Sequence, residues 1–97
     1  MQLGKFTKQP GEIEAYGVKY DEATDNGETL TAATAAVEDL SGVTPTMTVS
    51  PCTIDVKEVR VLASSGMDGH DYKITLQVDT STGRRMEDEL IVKVREV

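Results

Sequence analysis

From Tyr72 to Val94 the chain alternates apolar and polar residues through two segments joined at Ser81-Thr82-Gly83. Tyr72, Ile74, Leu76 and Val78 take every second position, with Lys73, Thr75, Gln77 and Asp79 between them. Period-two alternation puts the apolar side chains on one face of a strand and the polar ones on the other. Leu90, Val92 and Val94 repeat the pattern, interleaved with Lys93, Arg95 and Glu89. Two such segments around a glycine-bearing turn predict an antiparallel hairpin with one buried and one wet face. A chain ending this way is expected to be all-β, a sandwich or a barrel.

The segments upstream supply further strands. Phe6 to Gly11 ends on the turn signal Pro10-Gly11 and predicts a short edge strand or an extended arm over residues 1–11. In Glu12–Tyr20 the Tyr16, Val18, Tyr20 phase is the expected core face. Asp21 to Glu28 holds Asn26-Gly27, a pair that takes positive φ cheaply, and predicts an acidic turn. Thr29 to Leu40 is ambiguous. Its alanines favour helix, with Ala33, Ala36, Val37 and Leu40 at helical spacing, whereas its threonines and the alternation of Leu30, Ala32, Thr34 and Ala36 favour strand. In an otherwise all-β chain we read strand through about Val37. Thr46–Val49 adds a short strand between Pro45 and Pro51. From Thr53, Ile54 and Val56 set one phase and Val59, Val61 and Ala63 the other, which predicts a β-bulge or two consecutive strands. Six or seven short strands with turns about every ten residues predict a single immunoglobulin-like antiparallel sandwich over residues 1–97.

Charge and composition narrow the function classes. The 97 residues carry 17 acidic and 10 basic side chains, a formal net charge of −7. That balance argues against nucleic acid and against an anionic membrane as partners, because phosphate contacts need Lys and Arg. Cys52 is the single cysteine, so neither an intrachain disulfide nor a Cys-based zinc site is available. The N-terminus opens without the apolar segment of a secretory signal, and no run reaches the length of a membrane span. A soluble protein made in the cytoplasm is the corresponding expectation.

Candidate chemical sites are few. His70, the single histidine, lies in Asp68-Gly69-His70-Asp71 close to Ser64 and Ser65. No nucleophile motif or oxyanion-forming glycine run accompanies these residues, so they are expected to supply turn chemistry and no catalytic residue is assigned. The Asp21–Glu28 loop misses the oxygen-ligand spacing of a calcium loop and is expected to be a solvated turn without metal. No cofactor is expected. Glu87-Asp88-Glu89 and Arg84-Arg85 are expected to pair loosely with neighbours. Asp88 shares the phase of Met86 and Leu90, which would bury it; the expectation is that the strand starts near Glu89, or that Asp88 sits at the solvated end of the sheet.

With Lys5-Phe6-Thr7-Lys8-Gln9-Pro10-Gly11-Glu12 at its start, the Tyr72-Lys73-Ile74-Thr75 strand behind a glycine-bearing loop and Thr80-Ser81-Thr82-Gly83-Arg84 at its last turn, the chain resembles in layout small tailed-phage and prophage virion proteins of the fibre-tail adaptor type, made in the host cytoplasm. The likeness runs through Lys5-Phe6-Thr7-Lys8-Gln9-Pro10-Gly11-Glu12 and the Tyr16-Gly17-Val18-Lys19-Tyr20-Asp21 strand. It continues in the block from Leu62-Ala63-Ser64-Ser65-Gly66 through Tyr72-Lys73-Ile74-Thr75. It ends with Thr80-Ser81-Thr82-Gly83-Arg84, Glu87-Asp88-Glu89 and Val92-Lys93-Val94. The chain departs from that pattern in having no tryptophan and a longer, alanine-rich Thr29–Pro51 region. The resemblance implies a non-enzymatic structural adaptor of the virion that docks to tail, fibre or capsid proteins and is copied several times in a homo-oligomeric assembly. Phe6 and Pro10 on the N-terminal arm, and Arg84 and Arg85 at the last hairpin, are the interaction residues it implies, with the edges of that hairpin open to a partner strand. The rival reading is an immunoglobulin-like module for carbohydrate or another ligand, which would expose an aromatic platform for stacking.

Overall fold

The computed structural model describes residues 2–96, with side chains described from Gly4; Met1, at the start of the expected arm, lies outside the described residues. Eight strands occupy the chain: β1 (Gln2–Lys8), β2 (Ile13–Lys19), β3 (Leu30–Asp39), β4 (Thr48–Val49), β5 (Thr53–Asp55), β6 (Glu58–Ser64), β7 (Asp71–Thr80) and β8 (Arg85–Val94). They form two sheets. One runs in the order β1-β8-β7-β3; in the other β6 is central, with β2 on one side and β4 and β5 end to end on the other. The expected all-β, immunoglobulin-like sandwich is the fold, with one departure from a purely antiparallel plan: β1 pairs with β8 in parallel.

The β7–β8 hairpin is the centre of its sheet, so its strands are flanked rather than open. β3 covers β7, and β1 covers β8 from Glu89 to Val94. Only Arg85–Asp88 at the start of β8 extends beyond the reach of β1. This corrects the expectation that the hairpin offers free edges, because a sheet assembled around the most strongly alternating strands leaves them inside.

The alternation of β7 is realised residue by residue. Tyr72, Ile74, Leu76 and Val78 are buried, as are Leu90, Val92 and Val94 opposite them. Tyr16, Val61, Ala63 and Met47 of the facing sheet and its flanks close the core. Tyr20, Leu30, Val59 and Val78 form a second cluster toward one end. The Tyr72 hydroxyl, shut inside this core, is satisfied by Thr46 Oγ1 at 2.9 Å and by the Met67 N–H at 2.9 Å. Gly66, at φ 107°, passes over the core so closely that a Cβ there would lie 2.8 Å from Val94 Cγ2.

The phase slip after Thr53 is two strands, not a bulge. Asp55 pairs with Glu58, leaving Val56-Lys57 as a two-residue turn. Val56 has φ 55° and is 81% exposed. Glycine is the usual residue at the first position of such a turn, and a β-branched side chain there is strained. Val56→Gly is therefore expected to stabilise the chain by up to about 1 kcal/mol, read as a rise of a few degrees in thermal midpoint.

Strands of ten residues span about 33 Å, so they run along the 43 Å axis of a body whose other dimensions are 22 and 20 Å. One end carries the β1–β2 turn, the Leu40–Met47 loop and the Ser65–His70 loop. The other carries the Asp21–Glu28 loop, the Val56-Lys57 turn and the Ser81-Thr82-Gly83 turn.

Candidate docking ends

The acidic loop is anchored by its last residue. Glu28 is 2% exposed and receives the Arg84 guanidinium in a two-pronged contact, Nη2 to Oε1 at 2.6 Å and Nε to Oε2 at 3.1 Å. The Thr82 hydroxyl donates to Oε2 as well, and the Asp25 N–H donates to Oε1 at 2.8 Å. Arg84 Nη2 also donates to the Ala23 carbonyl at 2.7 Å. Planar guanidinium on carboxylate is the strongest side-chain pairing available to a protein. Arg84, followed by the threonine hydroxyls and the Asp25 amide, holds the Glu28 carboxyl far below the ordinary carboxylate range. The expectation of a merely solvated turn is corrected here: the loop is clamped to the last hairpin by a partner 56 residues away in sequence.

Beside the clamp, Asp88 shows the same limit of sequence reasoning. Strand β8 begins at Arg85, and Asp88 points inward, 7% exposed, where it accepts the Tyr20 hydroxyl at 2.8 Å. Neither sequence alternative, a late strand start or a solvated end, describes it. Burial first and this bond second raise the Tyr20 hydroxyl. Where β8 runs beyond β1, a surface hollow of about 370 Å³ opens between Val18, Tyr20 and Ala23 on one side and Met86, Glu87 and Asp88 on the other.

The four interaction residues expected from sequence are spread along the body. Arg84 is the clamp, and Arg85, exposed beside it, pairs across the hairpin with Asp79 at 2.7 Å. Phe6 is 39% exposed on β1 with its ring 5.0 Å from that of Tyr16. Pro10 lies in the β1–β2 turn, tied down by Lys8. The Lys8 side chain is 1% exposed, and its ammonium donates to the carbonyls of Gln9 (2.7 Å), Ser65 (2.7 Å) and Pro10 (3.4 Å). Burial pulls that ammonium below its ordinary value, against the opposing pull of Glu12 and Glu14.

The same end holds the single histidine. His70 Nδ1 lies 2.7 Å from Asp39 Oδ2, and Asp39 Oδ1 accepts the Ser41 hydroxyl at 2.7 Å and the Ser41 N–H at 2.8 Å. The carboxylate thus holds both its neighbours, where a nucleophilic site would have the imidazole between acid and hydroxyl. Ser64, one of the two serines near His70 in sequence, bonds Thr48 Oγ1 at 2.9 Å. Around this cluster Leu40, Val43 and Met67 are 49%, 55% and 50% exposed. Among the described residues no group of three or more His, Cys, Asp and Glu side chains is placed to hold a metal ion.

Ser41, then His70, hold the Asp39 carboxyl at about 2, against the upward push of burial. A carboxyl lowered in the folded state stabilises the fold above its unfolded value near 4 and loses that contribution as pH falls through the folded one. Glu28 acts in the same direction. The thermal midpoint is therefore expected to be nearly level from pH 7 to 5 and to fall steadily between pH 4 and 2. Asp39→Asn should flatten part of that slope.

The polar clusters of this elongated all-β sandwich thus serve to fix its loops. A family model described as podophage GP4 fiber-tail adaptor protein gp77 matches residues 8–93. The chain belongs to this fibre-tail adaptor family of phage structural proteins and is a component of the virion. A search of curated proteins gave no match.

Proposed function

We propose that the chain is a non-enzymatic adaptor that bridges tail and fibre proteins by its two ends. The observation that carries this reading is the contrast between those ends, set along the 43 Å axis. One presents Leu40, Val43 and Met67 around the His70–Asp39 pair, with Pro10 on the neighbouring turn. The other presents Arg85, Lys57 and the carboxylates of Asp21, Glu22 and Asp25 around the clamped hairpin turn. The first end exposes three apolar side chains and the second mainly charges, with Val56 the apolar residue open among them; ends so different suit two partner surfaces, and multiple copies in one particle would convert modest single contacts into firm attachment. Phe6 and Pro10 serve the first contact and Arg84 and Arg85 the second. Capsid proteins, nucleic acid and membrane have no part in this reading.

A carbohydrate-binding role gains no support. Tyr16, Tyr20 and Tyr72 are 8%, 3% and 0% exposed, so among the described side chains Phe6 is the single partly open aromatic ring. The bridging role is tested by size-exclusion chromatography with light scattering of the purified chain mixed separately with the tail and fibre proteins encoded beside it. Each is expected to co-elute. Arg85→Glu should weaken one complex, and the pair Val43→Ser with Met67→Ser the other. Failure of both partners to co-elute with the wild-type chain would overturn the reading.

A further inference from the structure

The two sheets have four lateral edges, and one is built unlike the others. β1 carries Lys5 and Lys8, β2 carries Glu14 and Lys19, and the β4–β5 edge is interrupted at Ser50-Pro51-Cys52. Charge, proline and interruption are the usual devices that stop one sheet from adding to another. β3 has none of them from Leu30 to Val37, a run of alanine, threonine, leucine and valine. Its single irregularity lies at the start, between Leu30 and Ala32. Among the described residues no strand pairs with its outer edge.

The ladder identifies which backbone groups that edge presents. The Leu40 N–H donates to the Asp71 carbonyl at 2.9 Å, and the Val94 N–H to the His70 carbonyl at 3.0 Å. Bonded and unbonded pairs alternate along an antiparallel ladder. With Thr34 opposite Gln77, Ala36 opposite Thr75 and Glu38 opposite Lys73, these three residues bond toward β7. Ala33, Ala35 and Val37 therefore aim their N–H and C=O groups away from the sheet. Their side chains pack against the core yet stay only partly buried.

We propose that β3 pairs antiparallel with β3 of a second copy, about a two-fold axis at Ala35, joining two four-stranded sheets into one of eight. In this register Ala35 faces Ala35, Ala33 faces Val37 and Glu38 faces Ala32 of the second copy. The strand selects its own kind through its charges and its size. It holds no cation, and its carboxylates, Glu38 and Asp39, lie together at its C-terminal end. Antiparallel self-pairing sends the two acidic ends in opposite directions, whereas parallel stacking would set like charges side by side. Glu38 already has its cation within the chain, Lys73 Nζ at 3.3 Å, so facing alanine leaves it paired. Small side chains on both strands allow close approach, and an isologous contact closes on itself without propagating.

The test is light scattering of the purified full chain over a wide concentration range, with Ala35→Pro and Ala36→Lys as variants. Proline at Ala35 removes an N–H that points to solvent in the single chain but sits at the centre of the proposed ladder. Lysine at Ala36 lies on the exposed outer face, so the fold tolerates it, but across the two-fold axis it sets two like charges at diagonally adjacent positions of the joined ladder, and it decides the matter if the proline variant does not fold. The wild type is expected at twice the 10.5 kDa chain mass, both variants at the single mass, and the Ala33, Ala35 and Val37 amides protected from hydrogen exchange in the wild type alone. A wild type that stays at the single mass at its highest concentration overturns the proposal, as does a dimer that both folded variants leave intact. A single-mass chain whose binding to tail or fibre protein is lost in Ala36→Lys gives the edge to that protein and likewise overturns it. The adaptor reading fails separately: a dimer that binds neither tail nor fibre protein refutes bridging and keeps the β3 pairing.

Discussion

Replacing Glu28 by alanine should lower the thermal midpoint by at least about 10 °C, a large effect for a residue that belongs to no strand. The carboxylate gathers the guanidinium of Arg84, the hydroxyl of Thr82 and the amide of Asp25, with almost no contact with water. Without it those donors lose at once the acceptor that ties the loop to the hairpin turn, and bonds to a charged acceptor contribute more each than neutral ones. The Asp21–Glu28 loop should then detach from the Ser81-Thr82-Gly83 turn, opening the Tyr20–Asp88 contact and the lower core cluster. Thermal and urea unfolding of Glu28→Ala beside Arg84→Ala measures this. Arg84→Ala should cost at least as much, because it leaves the buried carboxylate without its counter-charge, whereas its own guanidinium is 47% exposed. Equal and small losses in both would mean that the clamp does not hold the loop.

Lys8→Met is expected to cost about 2–4 kcal/mol, by leaving the carbonyls of Gln9 and Ser65 without their donor. Methionine keeps the length and the apolar stem, so what is lost is the ammonium and its two bonds of 2.7 Å. The consequence should be local as well as global. Lys8 ties the end of β1 and the following turn to the Ser65 loop, so hydrogen exchange along β1 and at Arg95, whose N–H donates to the Lys8 carbonyl, should quicken first. Uniform quickening across both sheets would show instead that β1 is no weaker than the rest. Because Phe6 and Pro10 flank Lys8, the same variant should weaken the contact assigned to that end.

The contrast between what periodicity shows and what it hides is plain in these residues. The buried apolar positions of β7, and those of β8 from Leu90 onward, were legible, because a strand buried on one face needs its side chains two apart and nothing else. The alanine and threonine tract was ambiguous for a physical reason: small residues suit a helix by propensity and suit β3 because an edge strand needs little bulk to cover the core. Lys8, Glu28 and Asp88 could not be read locally. Each is a buried polar group whose partner lies far along the chain, at Ser65, Arg84 and Tyr20 respectively. Asp88 offered the one sequence signal, a charge in the core phase that demanded a donor. The parallel pairing of β1 with β8 was equally out of reach, since alternation reports which face is buried and not which strand lies alongside. As for the candidate docking residues, sequence placed Phe6 and Pro10 on the N-terminal arm and Arg84 and Arg85 at the last hairpin, and their separation toward opposite ends of a long body emerged only with the topology.

The bridging role makes a demand on the particle itself. Particles assembled from a phage genome lacking this gene, compared with wild-type particles by electron microscopy and by protein content, measure it most directly. The account predicts tails that assemble but carry no fibres, with attachment restored when the protein is supplied. Particles that lack the protein and still carry their full complement of fibres would contradict it.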